Sequence, residues 1–230
     1  MKQLEKIQCI DGTVLKLIAM IAMVFDHVGD NFFPEQVWMR IIGRLAMPLF
    51  AFCVSEGFRY TRDRKKYLLR LGIFALVSEL PFDLLTAGRL ELGHQNVMLS
   101  FFLAVLALSS YDAVRAKIQS RWGIVLGVLA VLAIGAANQI VGGDYGFFAV
   151  GLVFVFYVSR GLGRAGQAGC AALFELALRN KGIYLFCVLS SLILLLYNGK
   201  KGRGLKWLFY AFYPGHMLLL WLLKLWLLPG

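Results

Sequence analysis

Four stretches of this chain contain no Asp, Glu, Lys or Arg at lengths that match a membrane-crossing helix: Leu92 to Tyr111, Trp122 to Gly143, Gly182 to Gly199 and Trp207 to Leu223. Crossing the hydrocarbon core takes about 20 mostly apolar residues in helical form, because only a helix satisfies its own backbone polar groups in lipid. No soluble domain fits between these runs, since the longest charge-dense segment, Arg59 to Arg70, is too short to bury a core. With 60% hydrophobic and 16% charged residues, the chain is neither disordered, nor a coiled coil, nor an ordinary soluble domain. A cleavable signal is not expected either, because the first apolar run begins near Val14 and carries Asp26 and His27 within it.

The apolar runs predict an all-α, polytopic integral membrane helical bundle of about nine transmembrane helices, at 13–33, 41–58, 67–87, 96–111, 122–141, 145–159, 163–178, 182–198 and 206–228. The count falls to eight if the seventh is re-entrant, a segment that carries Gly163, Gly166, Gly169 and Glu175. No internal repeat or linker divides residues 1–230, so a single transmembrane domain is expected.

A net charge of +11 suggests nucleic acid in a soluble protein, but here the distribution follows topology. Bases concentrate in alternate loops, the pattern of cytoplasmic loops. With the N-terminus cytoplasmic, that side collects Lys2, Lys6, Lys16, the cluster Arg59, Arg62, Arg64, Lys65, Lys66 and Arg70, then Arg115, Lys117, Arg121, Arg160, Arg164, Lys200, Lys201, Arg203 and Lys206. The expected surroundings are the lipids of a membrane with this basic side cytoplasmic, with no nucleic-acid partner. The four cysteines have neither paired spacing nor a CxxC, so no disulfide framework and no metal site is expected.

Chemistry is to be sought in polar groups placed where polarity is costly, since a charge at the bilayer centre costs about 3 kcal/mol or more. In LKLIAMIAMVFDHVGDNFFP, the residues Lys16, Met20, Met23, His27 and Asn31 trace one helical face. A rise of roughly 16 Å puts the lysine at the cytoplasmic mouth and the imidazole deep in the span. In the second span Arg44 and Pro48 lie one turn apart, and Glu56 stands near the inner end. The third places Glu79 and Asp83 on one face around Pro81, where Arg44 would neutralise one of them. His94, Gln95 and Asn96 read as loop chemistry, and Asp144 with Tyr145 and Gly146 as a helix N-cap. In FYAFYPGHMLLL, Pro214 and Gly215 loosen the helix beside His216. Each of these polar groups also has a plain structural reading, as helix-packing hydrogen bonds or ion pairs.

LKLIAMIAMVFDHVG, RIIGRLAMPLFAFCVSEGFRYTRDRKKYLLRL, ALVSELPFDL, NVMLSFFLAVLAL, DYGFFAVGLVFVFY and FYAFYPGHMLLL together resemble the TraX family of integral membrane proteins. The resemblance runs from near Val14 to the C-terminus. It implies an acetyltransferase, since the family's namesake acetylates a conjugative pilin. The family is in turn similar to transmembrane acyltransferases that use acyl-CoA, many of which carry an Arg and a His with ten residues between them in the first helix. Lys16 and His27 have that separation, with a point charge in place of a guanidinium.

Acetyl transfer from a thioester needs a base at the attacking atom, stabilisation of an oxyanion, and cations for the phosphates of acetyl-CoA. The expected base or acyl carrier is His27, with His216 its rival. Glu56, Glu79 or Asp83 would orient it, because Asp26 points about 100° away. The phosphates would meet Lys16, Arg62, Arg64, Lys65 and Lys66. Transfer to an amine or hydroxyl would run directly or through an acetyl-histidine. Two competing readings are a proton-coupled transporter, with Glu79, Asp83, His27 and Asp26 as a relay and no coenzyme, and a membrane scaffold without chemistry.

Overall fold

The computed structural model describes residues 7–179 and 181–227. Lys2 and Lys6, assigned above to the cytoplasmic side, lie outside the described residues. Among the described residues ten α-helices account for most of the chain, and extended pairing is limited to two isolated bridges, Ile10 with Tyr197 and Gln95 with Gly143.

The first helix, α1 (Gly12–Phe32), starts where the Asp11 carboxylate accepts hydrogen bonds from the backbone N–H groups of Thr13 and Val14. After a short turn, α2 (Val37–Gly43) and α3 (Ala46–Tyr60) return with a bend at Arg44 and Leu45. Asp63 caps α4 (Arg64–Thr86) through Lys66 N–H at 2.9 Å, and this contact holds its carboxyl below the usual carboxylate range. Asn96 caps α5 (Val97–Lys117) through Met98 N–H, and its amide also donates to Ala75 O on α4 at 2.9 Å. Then follow α6 (Arg121–Ile140), α7 (Gly146–Ser159), α8 (Gly163–Leu178), a 3-10 segment (Gly182–Leu189) that continues as α9 (Ser190–Leu195), and α10 (Lys206–Leu227). Both Pro81 and Pro214 sit inside continuous helices.

The expected helical segments form except 182–198, which is a 3-10 segment followed by six residues of α-helix, and the expected count of about nine transmembrane helices is not what length and apolarity support. Among the described residues six segments are long and apolar enough to cross a membrane, with Gly146–Leu178 counted as one of them. Helix α4 is as long as these but carries Arg64, Lys65, Lys66, Arg70, Glu79 and Asp83. Within 146–178 the chain turns at Gly163, whose φ of 73° suits glycine, and α8 folds back along α7. Gln167 donates to Phe156 O at 2.7 Å, and Phe174 stacks on Phe148 with centroids 5.7 Å apart. At about 1.5 Å per residue these two helices reach only two-thirds or so of the hydrocarbon thickness.

The core runs along α3, α5 and α7, where Phe52, Phe58, Leu108, Leu152 and Phe156 are fully buried. Phe52 meets Phe156 and Tyr197 edge-on, both at 5.3 Å. Leucines such as Leu76, Leu92 and Leu173 face outward, as they do where lipid is the solvent. The antiparallel hairpins give the bundle two ends. One gathers the start of α1, the α3–α4, α5–α6 and α7–α8 turns and the 196–206 loop, and holds most of the bases. That loop packs on the α1 N-terminus so closely that a side chain at Gly202, itself at φ 73°, would strike Asp11 and Thr13.

Candidate functional site

The first and last helices run parallel and touch at three levels. Lys16 Nζ lies 4.8 Å over the Phe209 ring, His27 meets His216, and at the far end Lys224 Nζ donates to Asn31 Oδ1 at 3.0 Å. The face of α1 expected from the spacing of Lys16, Met23, His27 and Asn31 is thus the face that meets α10 and the cavities.

At the middle level the hydrogen bonds fix the tautomers of both imidazoles. A carbonyl oxygen only accepts, so His216 Nδ1 carries a proton and donates it to Phe212 O at 2.8 Å. The Nε2 of neutral His216 is then an acceptor, and His27 Nδ1 donates to it at 2.9 Å. The lone pair of His27 is left on Nε2, which has no hydrogen-bond partner among the described residues. The two rings are nearly coplanar, at an interplanar angle of 21°, and Phe212 lies against a face of His216 at 4.5 Å and 6°. This clamp sets the imidazole planes as well as their protons.

Two cavities meet beside this pair. The larger, of about 760 Å³, opens at the basic end and is lined by Lys16, Arg62, Arg70, Lys201, Arg203 and Lys206, with Tyr67, Tyr210 and Phe209 behind them. The smaller, of about 250 Å³, lies at the opposite end and is lined by His27 together with Asp26, Arg40, Arg44, Tyr145 and Arg179. Met23, Phe50, Val97, Phe101 and Tyr213 line both, so His27, one turn beyond Met23 on α1, stands at the partition.

The remaining expected site residues are distributed differently from the sequence reading. Arg44 does not neutralise Glu79 or Asp83. It is 4% exposed and pairs with Asp26, which Arg40 Nε also approaches at 3.5 Å. Gly43 makes that pairing possible, because any side chain there would overlap Asp26. Glu79 accepts from Asn96, and Asp83 Oδ2 from Glu91 N–H at 3.0 Å, so both carboxylates pin the α4–α5 connection. Glu56 lies at the basic end, 3.7 Å from Arg164 and 3.9 Å from Arg59, with the Tyr197 hydroxyl donating to it at 3.4 Å. None of these three carboxylates hydrogen-bonds His27. The group in contact with it is His216, the residue taken above as a rival.

The expected phosphate cluster divides as well. Lys16 and Arg62 line the larger cavity. Arg64 instead pairs with Asp112 at 2.6 Å and covers the Phe58 ring, Lys66 pairs with Asp63 at 3.5 Å, and Lys65 is exposed outside the cavity. In their place stand Arg70, Lys201, Arg203 and Lys206, which the sequence reading treated only as markers of topology. The available signal was that Lys201 and Arg203 sit in a glycine-rich loop leading into the helix that begins at Lys206 and carries His216. Tyr145 rather than Asp144 occupies the α7 cap position, with a left-handed φ of 61° and no side-chain cap. Burial in that turn pushes the Asp144 carboxyl up to about 6.

A bundle of apolar helices with a polar pair between two opposed cavities defines a multi-pass membrane protein with a built internal site. Residues 11–224 match the family model described as TraX protein, and the chain belongs to that family. It is 32% identical to the probable fimbrial assembly protein FimC, serogroup H1, of Dichelobacter nodosus, an alignment that covers 93% of this chain and 95% of the relative. It is 25% identical to the protein TraX of Escherichia coli over 63% of this chain and 54% of that protein. No solved structure matches the chain.

Proposed function

We propose that this protein is an acetyltransferase of the bacterial cytoplasmic membrane, with its N-terminus and basic end cytoplasmic, that passes an acetyl group from acetyl-CoA to an amine or hydroxyl acceptor. The observation that carries the reading is the Phe212–His216–His27 chain, which leaves the free lone pair of His27 Nε2 at the partition between two cavities. Acetyl-CoA supplies the activated acyl group, and the larger cavity fits it. Six cations line the end where phosphates would sit, while apolar and aromatic side chains line the depth where the pantetheine arm would lie.

His27 Nε2 takes the proton from the attacking amine or hydroxyl, and the positive charge that develops is shared with His216 through the Nδ1–Nε2 bond. His216 holds the ring in the tautomer that leaves Nε2 basic, the orienting work sought among the carboxylates. Met23 and Tyr213 at the partition keep bulk water from the thioester. The name of the Dichelobacter relative, a fimbrial assembly protein, favours a peptide N-terminus among the acceptors.

The test is labelled acetyl transfer and acetyl-CoA binding by purified protein carrying substitutions in the pair. His27→Ala lowers kcat about 10²–10⁴-fold with acetyl-CoA binding retained, and His27→Gln is equally inactive because an amide takes up no proton near neutral pH. His216→Ala lowers kcat less, about 10–100-fold, and His216→Gln recovers part of it, since a glutamine oxygen accepts the His27 N–H as Nε2 does. Near-normal turnover in His27→Ala overturns the assignment. Orientation is read separately: cysteines replacing Lys65 and Gln95 label from opposite sides of the membrane, Lys65 from the cytoplasmic one.

A further inference from the structure

The smaller cavity contains two charged groups that make no ion pair among the described residues. Its other charges are accounted for: Asp26 by Arg44 and Arg40, and Asp30 by Arg40 at 2.5 Å. Arg179 is different. Its guanidinium lies over three aromatic rings, at 5.4 Å from Tyr145, 4.9 Å from Phe148 and 4.9 Å from Tyr184, and makes no ion pair among the described residues. A guanidinium held by its face keeps the in-plane N–H edges available, the geometry that grips a carboxylate or phosphate with two parallel bonds. The ring beneath it is set at a cost, because Tyr145 adopts its left-handed φ without being glycine. Arg44 also lies over the Tyr184 ring, at 5.2 Å, and has a buried Nε with no hydrogen-bond partner among the described residues. The second unanswered group is Asp144, half-buried in the cavity wall and in no ion pair among the described residues.

One free cation and one free carboxylate in the wall of a single cavity, with a free imidazole nitrogen at its inner end, match a ligand of two opposite charges. We propose that the smaller cavity is the acceptor site, and that it takes an amine that also bears an anionic group, carboxylate or phosphate, with the anion on Arg179 and the amine between Asp144 and His27. This rests on the acetyltransferase reading above and narrows its acceptor. On entry the ammonium releases one proton to water. The neutral nitrogen then attacks the acetyl carbon, the C–N bond forms as the C–S bond breaks, and His27 Nε2 takes the second N–H proton and returns it to the leaving thiolate. The acceptor thus enters from the end opposite the basic cavity, and the two substrates meet at His27.

The test uses the full chain in detergent and two matched probe pairs: glycylglycine against glycylglycinamide, and O-phosphoethanolamine against ethanolamine. Calorimetric binding is measured for each, alongside transfer from labelled acetyl-CoA. The anionic member of at least one pair binds about tenfold or more tighter, and Arg179→Gln removes that preference while the neutral members bind as before. Arg179→Lys keeps a reduced preference and decides the matter if the glutamine variant does not fold. Preference within the first pair only identifies a carboxylate, and within the second only a phosphate. Equal binding within both pairs, or an undiminished preference in the Arg179 variants, overturns the proposal. Transfer to the probes without anion preference overturns this inference alone. Anion-selective binding with no transfer overturns the acetyltransferase reading and leaves a site for a doubly charged ligand.

Discussion

The two cavities on either side of His27 are built on opposite electrostatic plans. At the basic end, cations line an open chamber with few acids among them, and Arg62, Lys201 and Arg203 have no salt bridge among the described residues. At the other end four of the six charged side chains answer one another within the wall, as in the Arg40–Asp26–Arg44 group. An unpaired cationic chamber is what a multiply charged anion selects. A paired network fixes helix positions, and its few unpaired members stand out for that reason. Basic residues therefore mean different things at the two ends. One end uses them as a field, the other as joints.

The sharpest way to break this contrast is to remove one member of the paired network. Asp26→Ala leaves Arg44, 4% exposed, without its counter-charge, and the expected loss is about 3–5 kcal/mol of stability, read by thermal or denaturant unfolding in detergent. A loss below about 1 kcal/mol, typical of exposed pairs, shows that water reaches the Arg44–Asp26 pair.

At the basic end, single losses are tolerated better because the cations act together. Replacing Arg62, Arg203 and Lys206 with Gln raises KM for acetyl-CoA about tenfold with kcat little changed, the signature of lost ground-state binding. The same change at Arg64, Lys65 and Lys66 raises it less than about twofold, because these side chains pair elsewhere or point away from the cavity. The reverse order places the phosphates on the exposed cluster.

The smallest effect concerns Asp144. Burial raises its carboxyl from 3.8 to about 6. A raised acid binds protons more tightly in the folded state, so its ionisation opposes folding, and stability falls as pH climbs from about 4 to 6. Asp144→Asn is expected to remove that slope and to stabilise the protein at pH 7 by on the order of 1 kcal/mol, the figure being kept small because the residue is only partly buried. Unfolding midpoints across pH 4–8 for both proteins decide it.

The helices were legible because lipid demands them. A charge-free run such as Trp122 to Gly143 has no other way to satisfy its backbone, so α6 appears where composition places it. The face of α1 was legible too, since the 3.6-residue repeat puts Lys16 and His27 on one side whatever lies opposite. What lies opposite was not. His27 and His216 are 189 residues apart, and their contact follows from α10 packing parallel to α1, which no local pattern encodes. The same holds for Arg44: spacing offered it Glu79 and Asp83 as partners, whereas close approach at Gly43 gave it Asp26. The helical segments and the face of α1 that carries His27 are properties of local composition and helical period, and the sequence determines them by itself. Which charges pair and which stay free in a cavity depends on how helices distant in the chain pack. Arg64 and Arg203 both read as basic loop residues in the sequence, and only tertiary structure pairs the first with Asp112 and leaves the second facing the chamber.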